Sequence, residues 1–270
     1  MDQFLRLTIG ITLITTTAIS AKASDLELTE NNIPIVLTPT RLRQSLADVP
    51  ASVTVITAEM IQAFGITSVP DALRLVPGMA VTQVTGNDYR INYHGTNILV
   101  PRRMNVLIDG VSVYRPALAR VDWKELPLVI EDIERIEVTR SPDSASYGAN
   151  SMLGIVNIIT KHPKEVEGTT LLGSVGSSQS TEGMVRYGGK IGKSTAYRVT
   201  IDRQRDNGLG YTSGAEQGHD GTQLNRLNFR SITDISNNET LDFQAAFVSG
   251  LKEIESVNKY QKTFPDIHVQ

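Results

Sequence analysis

Two hydrophobic periods divide the chain. Between Val49 and Lys161 short apolar runs are interspersed with helical ones, and beyond His162-Pro163 long stretches alternate apolar and polar residues. In the first region Val49–Thr57 reads as a strand, with Thr57 as N-cap of a helix that runs through Phe64 and ends at Gly65. Ser68 or Thr67 starts a second helix over Asp71–Leu75, with Ala72, Leu73 and Val76 as its apolar side, and Pro77-Gly78 stops it. Val81–Val84 and Tyr89–Tyr93 read as strands around the polar loop Thr85-Gly86-Asn87-Asp88. Met104–Val113 reads as a hairpin about Asp109-Gly110, which makes Asp109 a turn residue rather than a catalytic carboxylate. The most informative stretch is Ile130–Lys161. There Ile133, Ile136 and Val138 sit among Glu131, Glu134, Arg135, Glu137 and Arg140, a short helical approach running into a half-buried strand. Ser141-Pro142-Asp143 breaks it, a one-turn helix capped by Asp143 or Ser144 ends near Gly148, and Gly154 opens the apolar run Ile155–Ile159.

In the second region Tyr197, Val199 and Ile201 share one face, and Arg198, Thr200 and Asp202 the other. Leu227 and Phe229 face away from Asn228 and Arg230, as Leu241, Phe243, Ala245 and Phe247 do from Asp242 and Gln244. About five strands are expected, near Gly168–Val175, Gly183–Ile191, Thr195–Asp206, Leu224–Asp234 and Thr240–Ser249. Turns fall at Gly192-Lys193-Ser194 and Ser236–Glu239, with a longer polar loop over Gln204–Thr222. The tail Ile254–Gln270 is polar and holds Pro265, and none of the five strands falls in it. The pattern fits a transmembrane β-barrel, with one face to lipid and one to the lumen, and equally a soluble sandwich.

Composition narrows the choice. Lys+Arg 26 against Asp+Glu 29 leaves a net charge of -3, so a nucleic-acid partner is not expected. Cys 0 excludes disulfides, thiolate metal sites and cysteine nucleophiles. After the N-terminus no run reaches the roughly 18 apolar residues of a membrane helix. Residues 1–23 read as a secretory signal peptide, with Arg6 in the n-region and Ala21-Lys22-Ala23 as the cleavage site, giving a mature N-terminus at Ser24. The acidic stretch Ser24–Asn32 is expected to be disordered, and it precedes the apolar segment Ile33–Leu37. Three constellations carry no chemistry. Gly188–Ser194 lacks the first glycine and the helix of a phosphate loop; the four histidines have no metal spacing; and Ser141 and Ser144 have no His partner. No enzyme, cofactor or metal site is expected.

Several of these stretches resemble TonB-dependent outer-membrane receptors. Ile130–Lys161 is similar to the end of their plug domain, I-E-R-I-E-V-x-R-G-P, S-x-x-Y-G and G-x-I-N-I-I-T-K, with Ser141 in place of Gly and Val156 in place of Ile. Asp71–Met79 resembles D-x-L-x-x-x-P-G-V, Val106–Gly110 resembles V-L-I-D-G, and Tyr93-His94-Gly95 stands where the family has I-R-G. The resemblance implies an α+β plug domain, a small mixed sheet with short helices, followed by antiparallel β-strands of an incomplete transmembrane β-barrel. The implied division is 1–23 signal peptide, 24–48 disordered segment with a TonB box, 49–163 plug, and 164–270 the start of the barrel. Ile33, Pro34, Ile35, Val36, Leu37 and Thr38 would be the TonB box, an extended handle for β-augmentation with Ile33, Ile35 and Leu37 on one face. By position, the ligand-facing loops carry Asn87, Asp88, Tyr89, Tyr114, Arg115 and Arg120. Arg140 is expected to pair with barrel carboxylates. The implied role is TonB-energised import, across the bacterial outer membrane, of an iron–siderophore chelate or cobalamin, with TonB, the ligand and outer-membrane lipid as partners. The alternative is a truncated, secreted plug-like binding protein without transport.

Overall fold

A computed structural model describes residues 35–38, 44–49, 51–93, 103–115, 120–141, 144–148, 150–177, 180–209, 220–236, 238–254 and 260–269. The expected leader 1–23, the acidic stretch 24–32, Ile33, Pro34, Pro39, His94, Asp143 and His219 lie outside these residues.

The elements follow local chemistry. β1 (Ile35–Val36) pairs antiparallel with β2 (Gln44–Ser45). β3 (Val53–Thr57) runs straight into α1 (Ala58–Ala63), because the Thr57 side chain accepts from Met60 N and caps the helix. Ser68 caps α2 (Val69–Leu73) in the same way, and Pro70 sits in its first turn, where a missing N–H is tolerated. That helix starts before the expected Asp71. β4 (Met79–Thr85) and β5 (Asp88–Tyr93) form a separate hairpin closed by Gly86-Asn87. β6 (Met104–Ile108) and β7 (Val111–Ser112) turn at Asp109-Gly110, whose φ angles of 48° and 87° are those of a primed turn. A 3-10 turn at Ile130–Asp132 leads into β8 (Ile133–Thr139), then come α3 (Ser144–Tyr147) and β9 (Gly154–Thr160).

Five strands join in the order β3-β8-β9-β6-β7, with β6 and β9 parallel and the other pairs antiparallel. About four strands were expected; the short β7 is the fifth. One face of this sheet is the core: Ile56, Val106, Ile136, Val138, Val156 and Ile158 pack with Ile61, Ala72, Leu73 and Trp123. Because strand side chains alternate, the other face carries Asn105, Glu137, Thr139 and Asn157, and all four are buried too. The half-buried strand read from the sequence is therefore corrected: β8 is covered on both sides, and Glu137 is 0% exposed.

The remaining strands form one antiparallel meander, here called the wall: β10 (Gly168–Val175), β11 (Thr181–Ile191), β12 (Thr195–Asp206), β13 (Thr222–Ser236), β14 (Glu239–Ile254) and β15 (Tyr260–Val269). β11, β13 and β14 are longer than expected, and β15 occupies the tail that pattern alone left without a strand. Its Pro265 stands opposite Ser249; β15 pairs only with β14 among the described residues, and an edge strand tolerates proline. Gly192-Lys193-Ser194 closes a hairpin between β11 and β12, so no helix follows Ser194.

Burial in the wall is inverted relative to a soluble protein. Arg198, Thr200, Asp202, Arg226 and Asn228 are buried, while Leu171, Val185, Ile201, Leu227, Leu241 and Phe243 point outward and are exposed. A sandwich buries the apolar set, so that alternative fails here. No described helix is long and apolar enough to cross a membrane.

Ile136 lies at the centre of the small sheet's core, and Trp123, the single tryptophan, belongs to the same cluster. Replacing Ile136 by Ala is expected to destabilise that core by about 2–5 kcal/mol. Denaturant titration followed by Trp123 fluorescence measures the loss.

Candidate functional site

Three places bring polar groups together: the N-terminal segment on the small sheet, the hairpin and loop at the wall's far end, and the seam between them. In the first, Val36 and Thr38 are buried while Ile35 is 59% exposed, so alternation turns Ile35 and Leu37 outward. Glu137 Oε2 accepts from Leu37 N at 2.9 Å, Thr38 N at 2.8 Å and Thr38 Oγ1 at 2.5 Å. Arg135 Nε donates to Oε1 of the same carboxylate at 2.9 Å. Of the six expected handle residues, Ile35, Val36, Leu37 and Thr38 are described, and they are docked rather than free.

The six expected ligand contacts divide. Asn87 is buried against the wall, where its Nδ2 donates to Gly221 O at 3.2 Å and Glu253 O at 2.7 Å. Beside it Gly86 N donates to Asp220 Oδ2 at 2.6 Å, and a Cβ on Gly86 would lie 2.6 Å from Gly208 Cα, so only glycine fits this contact. Asp88 pairs with Arg90 at 3.5 Å. Arg115 lies 3.0 Å from Asp122 and 3.1 Å from Glu125, and Arg120 lies 2.9 Å from Asp122. Those two arginines are thus already neutralised by buried carboxylates. Tyr114 adjoins them and is half-buried.

Tyr89 is half-buried, with the Lys124 ammonium 5.7 Å from its ring centroid. Burial, reinforced by the Asp71 and Asp206 carboxylates, pushes its hydroxyl up to about 12. A raised acid contributes full stability below the unfolded value near 10, and that contribution disappears as pH rises toward about 12.

The seam was not legible as a site. Asp132, 1% exposed, lies 3.1 Å from Arg186 on β11 and 3.8 Å from Arg198 on β12. Arg186 Nη1 also donates to Glu131 O at 3.1 Å, and Arg198 Nη1 to Lys161 O at 2.7 Å. Arg230 on β13 donates to Thr160 Oγ1 at 2.8 Å, lies 3.5 Å from Asp109, and pairs with Asp242 at 2.8 Å. Three arginines on neighbouring strands therefore close on one end of the small sheet. Further along, Arg226 binds Asp202 at 2.5 Å and Lys124 O at 3.0 Å, and Lys124 meets Asp206 at 3.1 Å. Lys252 lies 3.9 Å from Glu125.

The expected contact was a small-domain arginine to wall carboxylates. Most described pairs run the other way, from Asp109, Glu125 and Asp132 to wall cations. Arg140 N donates to Ser52 O at 2.8 Å, and its Nε is buried with no hydrogen-bond partner among the described residues. A groove of about 290 Å³ lies between α1 and Leu172 of β10, bordered by Glu131 and Lys161. Burial pushes the Glu131 carboxyl up and the Lys161 ammonium down. The sequence signal for the seam was the charged face Arg198-Thr200-Asp202, read without a partner.

Residues 45–155 match the family model described as the TonB-dependent receptor plug domain. The vitamin B12 transporter BtuB of Vibrio cholerae serotype O1 is 30% identical over 176 residues, 64% of this chain and 28% of that protein. BtuB of Vibrio vulnificus is 31% identical over 157 residues, 57% of this chain and 25% of the relative. The chain thus matches about a quarter of the length of these relatives. The ferric-catecholate import receptor Fiu of E. coli K12 shares the fold, with TM-score 0.60 at 22% identity over 77% of this chain and 28% of that one. So does the ferric yersiniabactin uptake receptor FyuA of Yersinia pestis, with TM-score 0.59 at 21% identity over 75% and 32% of the two chains. These proteins are receptors and transporters, not enzymes.

Two outcomes follow from the geometry. Tyrosinate absorbance, compared with Tyr89→Phe, is expected to show one hydroxyl titrating near 12 rather than 10. Asp132→Ala strands Arg186 and Arg198 against the small sheet, and is expected to cost about 3–5 kcal/mol in denaturation midpoint analysis, with Asp132→Asn costing less.

Proposed function

Taking the chain as what residues 45–155 make it, a TonB-dependent receptor with its plug domain, we propose that it serves uptake of a scarce metal chelate across the bacterial outer membrane. The observation that carries this reading is the wall's burial: Leu171, Val185, Ile201, Leu227, Leu241 and Phe243 are exposed, while Arg198, Asp202 and Arg226 are buried on the inner side, where the plug engages Arg186, Arg198 and Arg230. Lipid suits the apolar set on the wall's outer face, but among the described residues the wall has β10 and β15 at its ends, so it would span hydrocarbon only as part of a closed barrel. A leader over residues 1–23 would bring the chain there. Cobalamin is the first ligand to test, since the relatives at 30–31% identity are vitamin B12 transporters; iron–siderophore chelates are the second, after the receptors that share the fold.

In this reading Ile33, Pro34, Ile35, Val36, Leu37 and Thr38 are the TonB-binding handle. An outer membrane has no nucleotide supply, so work arrives mechanically, and an extended segment offers its backbone to a sheet edge of TonB. The outward face of Ile35 and Leu37 suits that pairing. Among the loop residues, Tyr89 and Tyr114 are better placed for ligand than Asn87, Asp88, Arg115 and Arg120, whose polar groups are engaged within the protein. Arg140, with its buried Nε, is kept as a plug–barrel contact.

Expression in a host lacking its own receptors for cobalamin and siderophores is expected to restore binding and uptake of labelled cobalamin. Val36→Pro, which removes a backbone donor from the handle, is expected to abolish uptake while leaving binding within about twofold. Absence of cobalamin binding together with growth on a ferric siderophore would move the ligand to the second class. Neither activity, in a protein shown to be inserted, would sink the transport reading.

A further inference from the structure

Thr38 is fully buried, and every polar atom it has is engaged. Its N–H and hydroxyl both donate to Glu137 Oε2, at 2.8 Å and 2.5 Å. Its hydroxyl also accepts from Asn157 Nδ2 at 3.2 Å, and its carbonyl accepts from Tyr147 OH at 2.7 Å. Leu37 N adds a further donor to the same carboxylate oxygen at 2.9 Å. These groups come from three separate elements. Glu137 lies on β8, Asn157 is its direct cross-strand partner on β9, and Tyr147 ends α3. Arg135 neutralises the other carboxylate oxygen, so Oε2 is left to face the segment.

We propose that Glu137, Asn157 and Tyr147 form a peptide clip on the plug. Its ligand is an extended dipeptide with two successive N–H groups, the second residue bearing a hydroxyl. The occupant is the chain's own Leu37-Thr38. The hydroxyl requirement follows from direction: one atom must donate to a carboxylate and accept from an amide, which Ser and Thr do and Ala, Val or Asp cannot. The two N–H groups explain the placement of proline in this segment. Pro34 and Pro39 flank the clip, and neither removes the donors at 37 and 38. The bonds to Oε2 are charge-assisted and buried, so the clip restrains Ile35 and Val36 immediately upstream. Opening the clip leaves a buried carboxylate short of three donors. Release is therefore unfavourable unless something else offsets it. The clip itself stands on the contacts above; that opening it frees a handle for TonB rests on the functional reading.

The chain has no cysteine, so a single spin label can be introduced cleanly. In the full chain, a label at Ile35→Cys, an exposed site, reports the segment, and one at Val111→Cys, exposed on the plug hairpin, reports the plug. The label at 35 is expected to be immobile without any partner. Thr38→Val and Glu137→Gln are each expected to raise its mobile-to-immobile ratio about tenfold, the size of one or two lost hydrogen bonds. Thr38→Ser is expected to hold it, and the label at 111 is expected not to change. An immobile label at 35 in both Thr38→Val and Glu137→Gln overturns the clip. So does equal loosening at 111, which would mean the plug as a whole has loosened. Mobility in Thr38→Ser equal to that in Thr38→Val overturns the hydroxyl selectivity. Adding the periplasmic part of TonB and scoring its cross-linking to Ile35→Cys tests the handle separately: capture absent from an opened clip removes the handle and leaves the clip standing.

Discussion

Buried charge is the constraint on which the arrangement rests. The wall presents Arg186, Arg198, Arg226 and Arg230 on its inner side, and an ion taken out of water must find a counter-charge and hydrogen bonds or cost several kcal/mol. The small sheet supplies those partners from its chain reversals: Asp109 in a primed turn, Asp132 in a 3-10 turn, and the carbonyls of Glu131, Thr160 and Lys161. Such positions are further fixed by hydrogen bonds within the small sheet. Asp109, for example, accepts from both the N–H and the hydroxyl of Thr160 before it meets Arg230.

The two sides of the small sheet divide the labour. One side is an apolar core built with α1, α2 and the Trp123 turn, and it supplies the stability. The opposite side is buried too, and it sets Asn105, Glu137, Thr139 and Asn157 among Leu107 and Ile155. It orders a remote segment through hydrogen bonds whose geometry admits few alternatives. The wall joins neither core. Its contact with the plug is made of discrete ionic and hydrogen-bonded links, which specify position more than they add stability.

Much of this was legible in the sequence. The alternation of Ile133, Ile136 and Val138, the Asp109-Gly110 turn and the Thr57 cap are local signals, and the elements stand where those signals put them. The wall strands were legible because period-two patterning persists for ten or more residues. What escaped was set at long range. Glu137 looks like a solvated strand residue until Leu37 and Thr38, 100 and 99 residues away, are laid across it. Asn87 looks like an exposed loop residue until the backbone of Gly221 and Glu253 closes on it, 134 and 166 residues further along. β15 escaped because polarity and Pro265 are signals against an interior strand; among the described residues it pairs with β14 alone.

Arg198 and Arg230 stand directly opposite one another in the pairing of β12 with β13. Like charges across an antiparallel pair repel by up to about 1 kcal/mol; Asp242 on β14 offsets Arg230 within the wall, and Thr160, Lys161 and Asp109 supply the remaining partners. The two strands have their full mutual stability with the plug docked, because Asp132, Asp109 and the 160–161 groups then partner both arginines. One facing pair of arginines thus makes the pairing of two wall strands and the seating of the plug energetically interdependent.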